Sequence, residues 1–202
     1  MRFASDFHTG KDFGADLRRV QMIKAPTSSP LAAAAAVLVV VSAWGADATI
    51  ETTCRDAGAG DRRVDVAFCV RQFLAYQGAA EADTWGLART AVLIGINLAD
   101  DAIFDLTHGK ILPEPKDKKA EAAMDACVKA YDKVGLAFAE ASDELRARRY
   151  AAAKEEMASV APLLQRCDGG LVKVGLPSPL PRYSADCLQT TIIGIAITNL
   201  VK

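Results

Sequence analysis

Apolar residues recur every three or four positions along most of the chain. Trp85, Ala88, Val92, Ile96, Ala99, Ile103 and Leu106 form one stripe about six turns long, closed by Gly109, Pro113 and Pro115. A second stripe, Ala120, Met124, Cys127, Tyr131, Val134, Phe138, Ala141 and Leu145, alternates steps of four and three without a break. The third runs through Tyr150, Ala153, Met157, Val160, Leu164 and Cys167, and Asp168-Gly169-Gly170 is expected to end it. After the loop from Gly175 to Pro181, residues 183–202 are apolar on most sides through Ile192, Ile193, Ile195, Ile197, Leu200 and Val201. Their β-branched content suits a strand locally. Their length, and three amphipathic helices that need a fourth to close a core, favour a buried helix. The pattern therefore predicts an all-α protein, an up-and-down four-helix bundle with three-four seams.

The N-terminus reads differently. Leu31 to Val41 is apolar for about eleven residues and is followed by small residues up to Ala48. A membrane span needs about 20 residues, so the run suits a signal-peptide core instead. Ala46-Asp47-Ala48 has the small-x-small spacing of a cleavage site, which places the cut after Ala48, with Ala43 a weaker site. Met22-Ile23-Lys24 directly precedes the run and would open an ordinary signal peptide, leaving residues 1–21 as an extension outside it. Arg2, Arg18 and Arg19 fit an organelle transit peptide, but Asp6, Asp12 and Asp16 argue against one. Residues 1–48 are thus read as extension plus signal peptide, and residues 49–202 as one domain.

Removing 48 of the 202 residues leaves 154, enough for one sizeable core. The remaining chain has 19 basic and 21 acidic residues, a balance that points to neither nucleic acid nor an anionic membrane surface. It carries no lipidation signal, second apolar span or Asn-x-Ser/Thr acceptor.

Behind a signal peptide, spaced cysteines imply disulfides. Cys127 and Cys167 fall on the core stripes of their helices, so the bundle brings them face to face. Cys54 and Cys69 flank Asp56-Ala-Gly-Ala-Gly-Asp61, a turn-rich stretch expected between two short helical pieces. Four cysteines permit three pairings, and sequence alone does not choose among them. Sequential pairing fits the helix layout best; it would close loops contributing roughly 3 and 4 kcal/mol. Cys187 is left over as a free thiol on the last helix, read as a small buried hydrophobe.

Catalytic chemistry is hard to assemble. The domain retains one histidine, His108, at a helix end, where it is read as a cap for carbonyls. No Glu-x-x-His pair, His-Glu-x-x-His, Cys-x-x-Cys, Gly-x-Gly-x-x-Gly or phosphate loop occurs, and neither a metal nor a cofactor is expected. Asp100-Asp101, Asp143-Glu144 and Glu155-Glu156 are adjacent on helices, so their carboxylates diverge. The cluster Arg146-Ala-Arg148-Arg149 ahead of Tyr150 differs in kind: at a helix junction it is either a solvated turn or a contact for an acidic protein surface. A secreted, disulfide-stapled bundle without a catalytic set is most economically a protein that acts by binding.

The residues from Ile50 to Val201 resemble the plant invertase and pectin methylesterase inhibitor family. The resemblance rests on Ile50-Glu-Thr-Thr-Cys54, Val64-Asp-Val-Ala-Phe-Cys-Val70, Asp125-Ala-Cys127 followed by Tyr131, Tyr150-Ala, Cys167-Asp168, Ser178-Pro179 and Ile195-Ala-Ile-Thr-Asn-Leu200. It implies an N-terminal helical hairpin packed on a four-helix bundle, with first-to-second and third-to-fourth disulfides. The fourteen residues between Cys54 and Cys69 are similar to a pollen-allergen-like branch described as invertase inhibitors. Better-known invertase inhibitors carry Pro-Lys-Phe where this chain reads Arg148-Arg149-Tyr150, keeping a base before an aromatic and losing the proline. Pectin methylesterase inhibitors commonly carry Thr or Asp five residues before the fourth cysteine, where this chain has Pro162, a residue expected to kink the helix.

By number of family members, the resemblance implies a protein partner that is pectin methylesterase, with acid invertase the alternative, held by one-to-one occlusion of its cleft. It implies a monomer acting in the apoplast or cell wall, or in the vacuole, with Arg148, Arg149 and Tyr150 as candidate target contacts. An apolar-ligand carrier and a structural secreted bundle are the readings from other classes.

Overall fold

The computed structural model describes residues 45–108, 115–177 and 180–202, with side chains from Thr49 onward. The apolar leader, Gly109, Pro113 and Ser178-Pro179 lie outside the described residues. The chain is all-α. Helices α1 (Gly45–Gly60) and α2 (Val66–Ala75) form an N-terminal hairpin, and a 3₁₀ turn, Ala79–Glu81, leads to the bundle. The bundle comprises α3 (Thr84–His108), α4 (Lys118–Arg146), α5 (Tyr150–Ala158), α6 (Val160–Lys173) and α7 (Pro181–Thr198).

Local chemistry sets several starts. Asp65 accepts from Phe68 N at 2.9 Å ahead of α2, and Asp83 accepts from Gly86 N at 2.7 Å at the start of α3. Asp117 accepts from both Lys119 N and Ala120 N at 2.9 Å before α4, and Pro181 supplies a first-turn residue whose missing N–H costs nothing there.

The bundle is a square of four rods in which α5 and α6 share one corner. Helix α3 packs on α4 and α7, α4 also packs on α5 and α6, and α7 closes the ring against α3, α5 and α6. Of the α4 stripe, seven residues are buried and Met124 is half-buried. Helix α3 is buried more broadly than one stripe: Leu87, Ala91 and Ile94 are enclosed beside Ala88, Val92 and Ala99, because the hairpin covers a second face. A Cβ added at Gly95 would sit 2.6 Å from the Phe138 ring, so glycine is what lets that ring lie against the α3 backbone.

Two boundaries differ from the sequence expectation, and a third accords with the kink expected at Pro162. Asp56 to Gly60 is helical, not a turn; Ala57 continues the buried face of Ile50, Thr53 and Cys54, and the reversal falls at residues 61–65. The third rod divides at Ser159, three residues before Pro162, whose ring excludes the carbonyl four positions back. Asp168-Gly169-Gly170 does not end α6, because Leu171 is buried on the same face; the helix ends ahead of Gly175, at φ 75°.

Disulfides join Cys54 to Cys69 across the hairpin and Cys127 to Cys167 between α4 and α6. Cys187 is free and buried, and burial pushes its thiol up to about 12. Gln189 of α7 clamps the hairpin to the bundle: its Oε1 accepts from Asp65 N at 3.2 Å and its Nε2 donates to Arg63 O at 3.3 Å.

Gly95→Val should lower the free energy of unfolding by about 1–3 kcal/mol through overpacking against Phe138. Urea unfolding of the oxidised protein measures it, and an unchanged midpoint would show that the Phe138 ring moves aside without cost.

Candidate functional site

The junction between α4 and α5 carries the cluster singled out in the sequence. Helix α4 ends in a tight reversal in which Arg149 N donates to Glu144 O at 2.9 Å and Arg148 N donates to Leu145 O at 3.1 Å. That 6→1 and 5→2 pattern requires a left-handed residue, usually glycine, at the position Arg148 occupies with φ 61°. The conformation costs an L-residue roughly 1–2 kcal/mol. Two contacts of the same side chain offset it. The Arg148 guanidinium lies 4.3 Å from the centroid of Trp85, and its NH1 donates to Tyr150 Oη at 3.0 Å.

Trp85 is the anchor of this arrangement. From the first turn of α3 its Nε1 donates to Leu145 O at 3.1 Å, satisfying an end carbonyl of α4, while Arg89 lies over the same ring at 5.0 Å. The Arg89 Nε is buried without a hydrogen-bond partner. Arg149 is engaged elsewhere, in a two-pronged ion pair with Glu144 whose NH2–Oε1 arm is 2.9 Å. Arg146 faces Asp143 at 3.7 Å. Among the described residues neither Arg89 nor Arg148 forms an ion pair, so these two, not Arg149, carry the unpaired positive charge, with Arg148 exposed and Arg89 half-buried. Arg148 and Arg149 are exposed and Tyr150 is half-buried.

Trp85 and Arg89 were missed as site residues because Trp85 falls on the apolar stripe of α3. Their four-residue spacing is a legible aromatic–arginine pair, but the approach of Arg148 from a helix junction 63 residues away is not.

The other chemical candidates do not converge. His108 is exposed, stacked on Phe104 with ring centroids 4.9 Å apart, and its Nδ1 shares a 2.7 Å hydrogen bond with Thr107 Oγ1, so the imidazole turns to its own helix. Asp100, Asp101, Asp143 and Glu155 are exposed. Tyr131 Oη bonds Ser184 Oγ at 3.0 Å, a pairing that satisfies a buried phenol held protonated by desolvation. What the junction offers is recognition: tryptophan, arginine and tyrosine on a fixed turn are the residue types that dominate binding energy at protein interfaces.

Carboxylates rim this patch. Glu144 is held below the ordinary glutamate range chiefly by the Arg149 hydrogen bond. Glu156 is pushed up, first by burial and then by Glu140, with Glu144 and Glu155 adding to it. A carboxyl raised in the folded state contributes stability below its unfolded value and loses it as pH rises through the folded value. The gain in Tm from Glu156→Gln should therefore be larger at pH 7 than at about pH 5, read by thermal unfolding at both. Equal gains would remove the Glu140–Glu156 interaction.

Residues 48–197 match the family described as plant invertase/pectin methylesterase inhibitor. The chain is 43% identical over 159 residues to pectinesterase inhibitor 8 of Oryza sativa subsp. japonica, covering 78% of this chain and 86% of the relative. It is 40% identical over 182 residues to pectinesterase inhibitor 12 of the same organism, covering 87% and 86%. A Platanus orientalis protein named "Putative invertase inhibitor" is 27% identical over 155 residues, covering 75% and 89%.

Proposed function

Because the chain belongs to the plant invertase/pectin methylesterase inhibitor family, we propose that it is an inhibitor protein, not an enzyme, that binds pectin methylesterase one-to-one and occludes its cleft. The observation that carries this reading is the 43% identity to a pectinesterase inhibitor over 86% of that relative's length. The α4–α5 junction supports it. Its aromatic and guanidinium groups are held by Trp85 and by the strained turn before any partner arrives, which keeps the ordering cost of association low.

The mature domain is residues 49–202, released by cleavage after Ala48 into the apoplast, where it acts as a monomer. Among the described residues no helix is long and apolar enough to cross a membrane. Acid invertase is the second reading, favoured by the relative from Platanus and by the base-aromatic step Arg149-Tyr150 at the junction.

Residual activity of pectin methylesterase and of acid invertase, each titrated with the oxidised domain at about pH 5, separates the two. Loss of pectin methylesterase activity at equimolar inhibitor is the expected result, and inhibition of neither enzyme would refute the proposal. Arg148→Ala with Tyr150→Ala should raise Kd at least tenfold, about 1.4 kcal/mol, whereas Arg149→Ala, which breaks an exposed ion pair, should change it by much less. The reverse order would move the contact from Arg148 to Arg149.

A further inference from the structure

A cleft of about 180 Å³ opens between the end of α2 and the middle of α3. Gln72 and Tyr76 border it on one side, and Ile94, Asn97, Leu98 and Asp101 on the other. The α3 residues follow the i, i+3, i+4, i+7 spacing of one helix face, so they converge on one space. Its volume is that of about six liquid waters and falls below the roughly 300 Å³ at which sites for drug-sized ligands begin. That suits a single six-membered ring with its substituents.

The lining is amphipathic in a specific way. Ile94 and Leu98 give an apolar floor beside the Tyr76 ring, which suits the C–H face of a sugar. Two carboxamides, a carboxylate and a phenol border that floor, and both donors and acceptors are available for adjacent hydroxyls. Among the described residues the side chains of Gln72, Tyr76, Asn97 and Asp101 make no hydrogen bond with another residue, so their polar groups are open to a ligand. No Lys or Arg lines the cleft, and Asp101, with Asp100 beside it in sequence, repels anions.

We propose that this cleft is a subsite for an uncharged pyranose unit of a neutral or methyl-esterified polysaccharide. Asn97 lies twelve residues from Trp85 along α3, roughly 18 Å away. A sugar bound here does not compete for the Arg148–Tyr150 junction. Weak attachment to a polymer raises the local concentration of the protein near an enzyme acting on that polymer.

The test is an NMR titration of the secreted, disulfide-bonded, ¹⁵N-labelled protein with three probes: methyl-esterified oligogalacturonides, the same oligomers de-esterified, and xyloglucan oligosaccharides. At least one uncharged probe should shift the Gln72 and Asn97 side-chain amide signals and saturate in roughly the millimolar range, with the de-esterified probe at least tenfold weaker. A response to the esterified galacturonide alone assigns the site to pectin; a response to both uncharged probes assigns it to neutral pyranoses generally. Tyr76→Ala and Asn97→Ala should each weaken binding at least fivefold, and the exposed Asn97 gives a variant that leaves the fold undisturbed. No shift at these residues with either uncharged probe, or tighter binding of the de-esterified one, would overturn the proposal. The readout involves no enzyme, so that failure leaves the inhibitor reading standing.

Discussion

Helix α4 packs against α3, α5 and α6, and its apolar stripe is the surface on which they meet. Tyr131, Val134, Phe138 and Leu145 are fully enclosed there. Burying an apolar side chain such as Val134, Phe138 or Leu145 contributes about 1.5–3 kcal/mol before entropic costs, so losing any one of them is a large change against a net stability of roughly 5–15 kcal/mol. The exposed ion pairs, worth about 0–1 kcal/mol each, are minor beside that. Cys127 belongs to the same stripe, one turn before Tyr131, so the Cys127–Cys167 bridge fastens the seam that packing already forms.

The hairpin depends on that seam indirectly. It contributes Ile50, Cys54, Phe68 and Phe73 to a core continuous with that of the bundle, and it has its own bridge and the Gln189 clamp to backbone groups of its turn. Two short helices bury too little surface to hold a fixed pose alone. The exposed face of α3 and the hairpin together make the cleft at Tyr76 and Asn97, so that cleft exists only where the clamp and the packing agree.

At the α4–α5 junction the order of causes reverses: local strain is tolerated because tertiary contacts hold it. Arg148 takes a conformation that glycine would adopt freely, and its side chain returns over Trp85. A guanidinium fixed in this way has less entropy to lose on meeting a partner, which is the physical advantage of placing a recognition residue on a strained turn. Surface pairing of Arg149 with Glu144 and of Arg146 with Asp143 leaves Arg148 as the unpaired cation of the sequence run, and Arg89 of α3 joins it over Trp85.

The sequence by itself determined the helical class, the four rods and the α4 face, because a period of three and four leaves one way to hide that many apolar residues. It also marked Arg148, Arg149 and Tyr150 as candidate contacts at a junction. Tertiary structure decided the rest. The helix limits at Gly60 and Lys173 follow Ala57 and Leu171, whose burial outweighs the glycines beside them, and residues distant in sequence supply that burial. The partners of Arg148 and the cleft between α2 and α3 both join side chains from elements that only packing brings together.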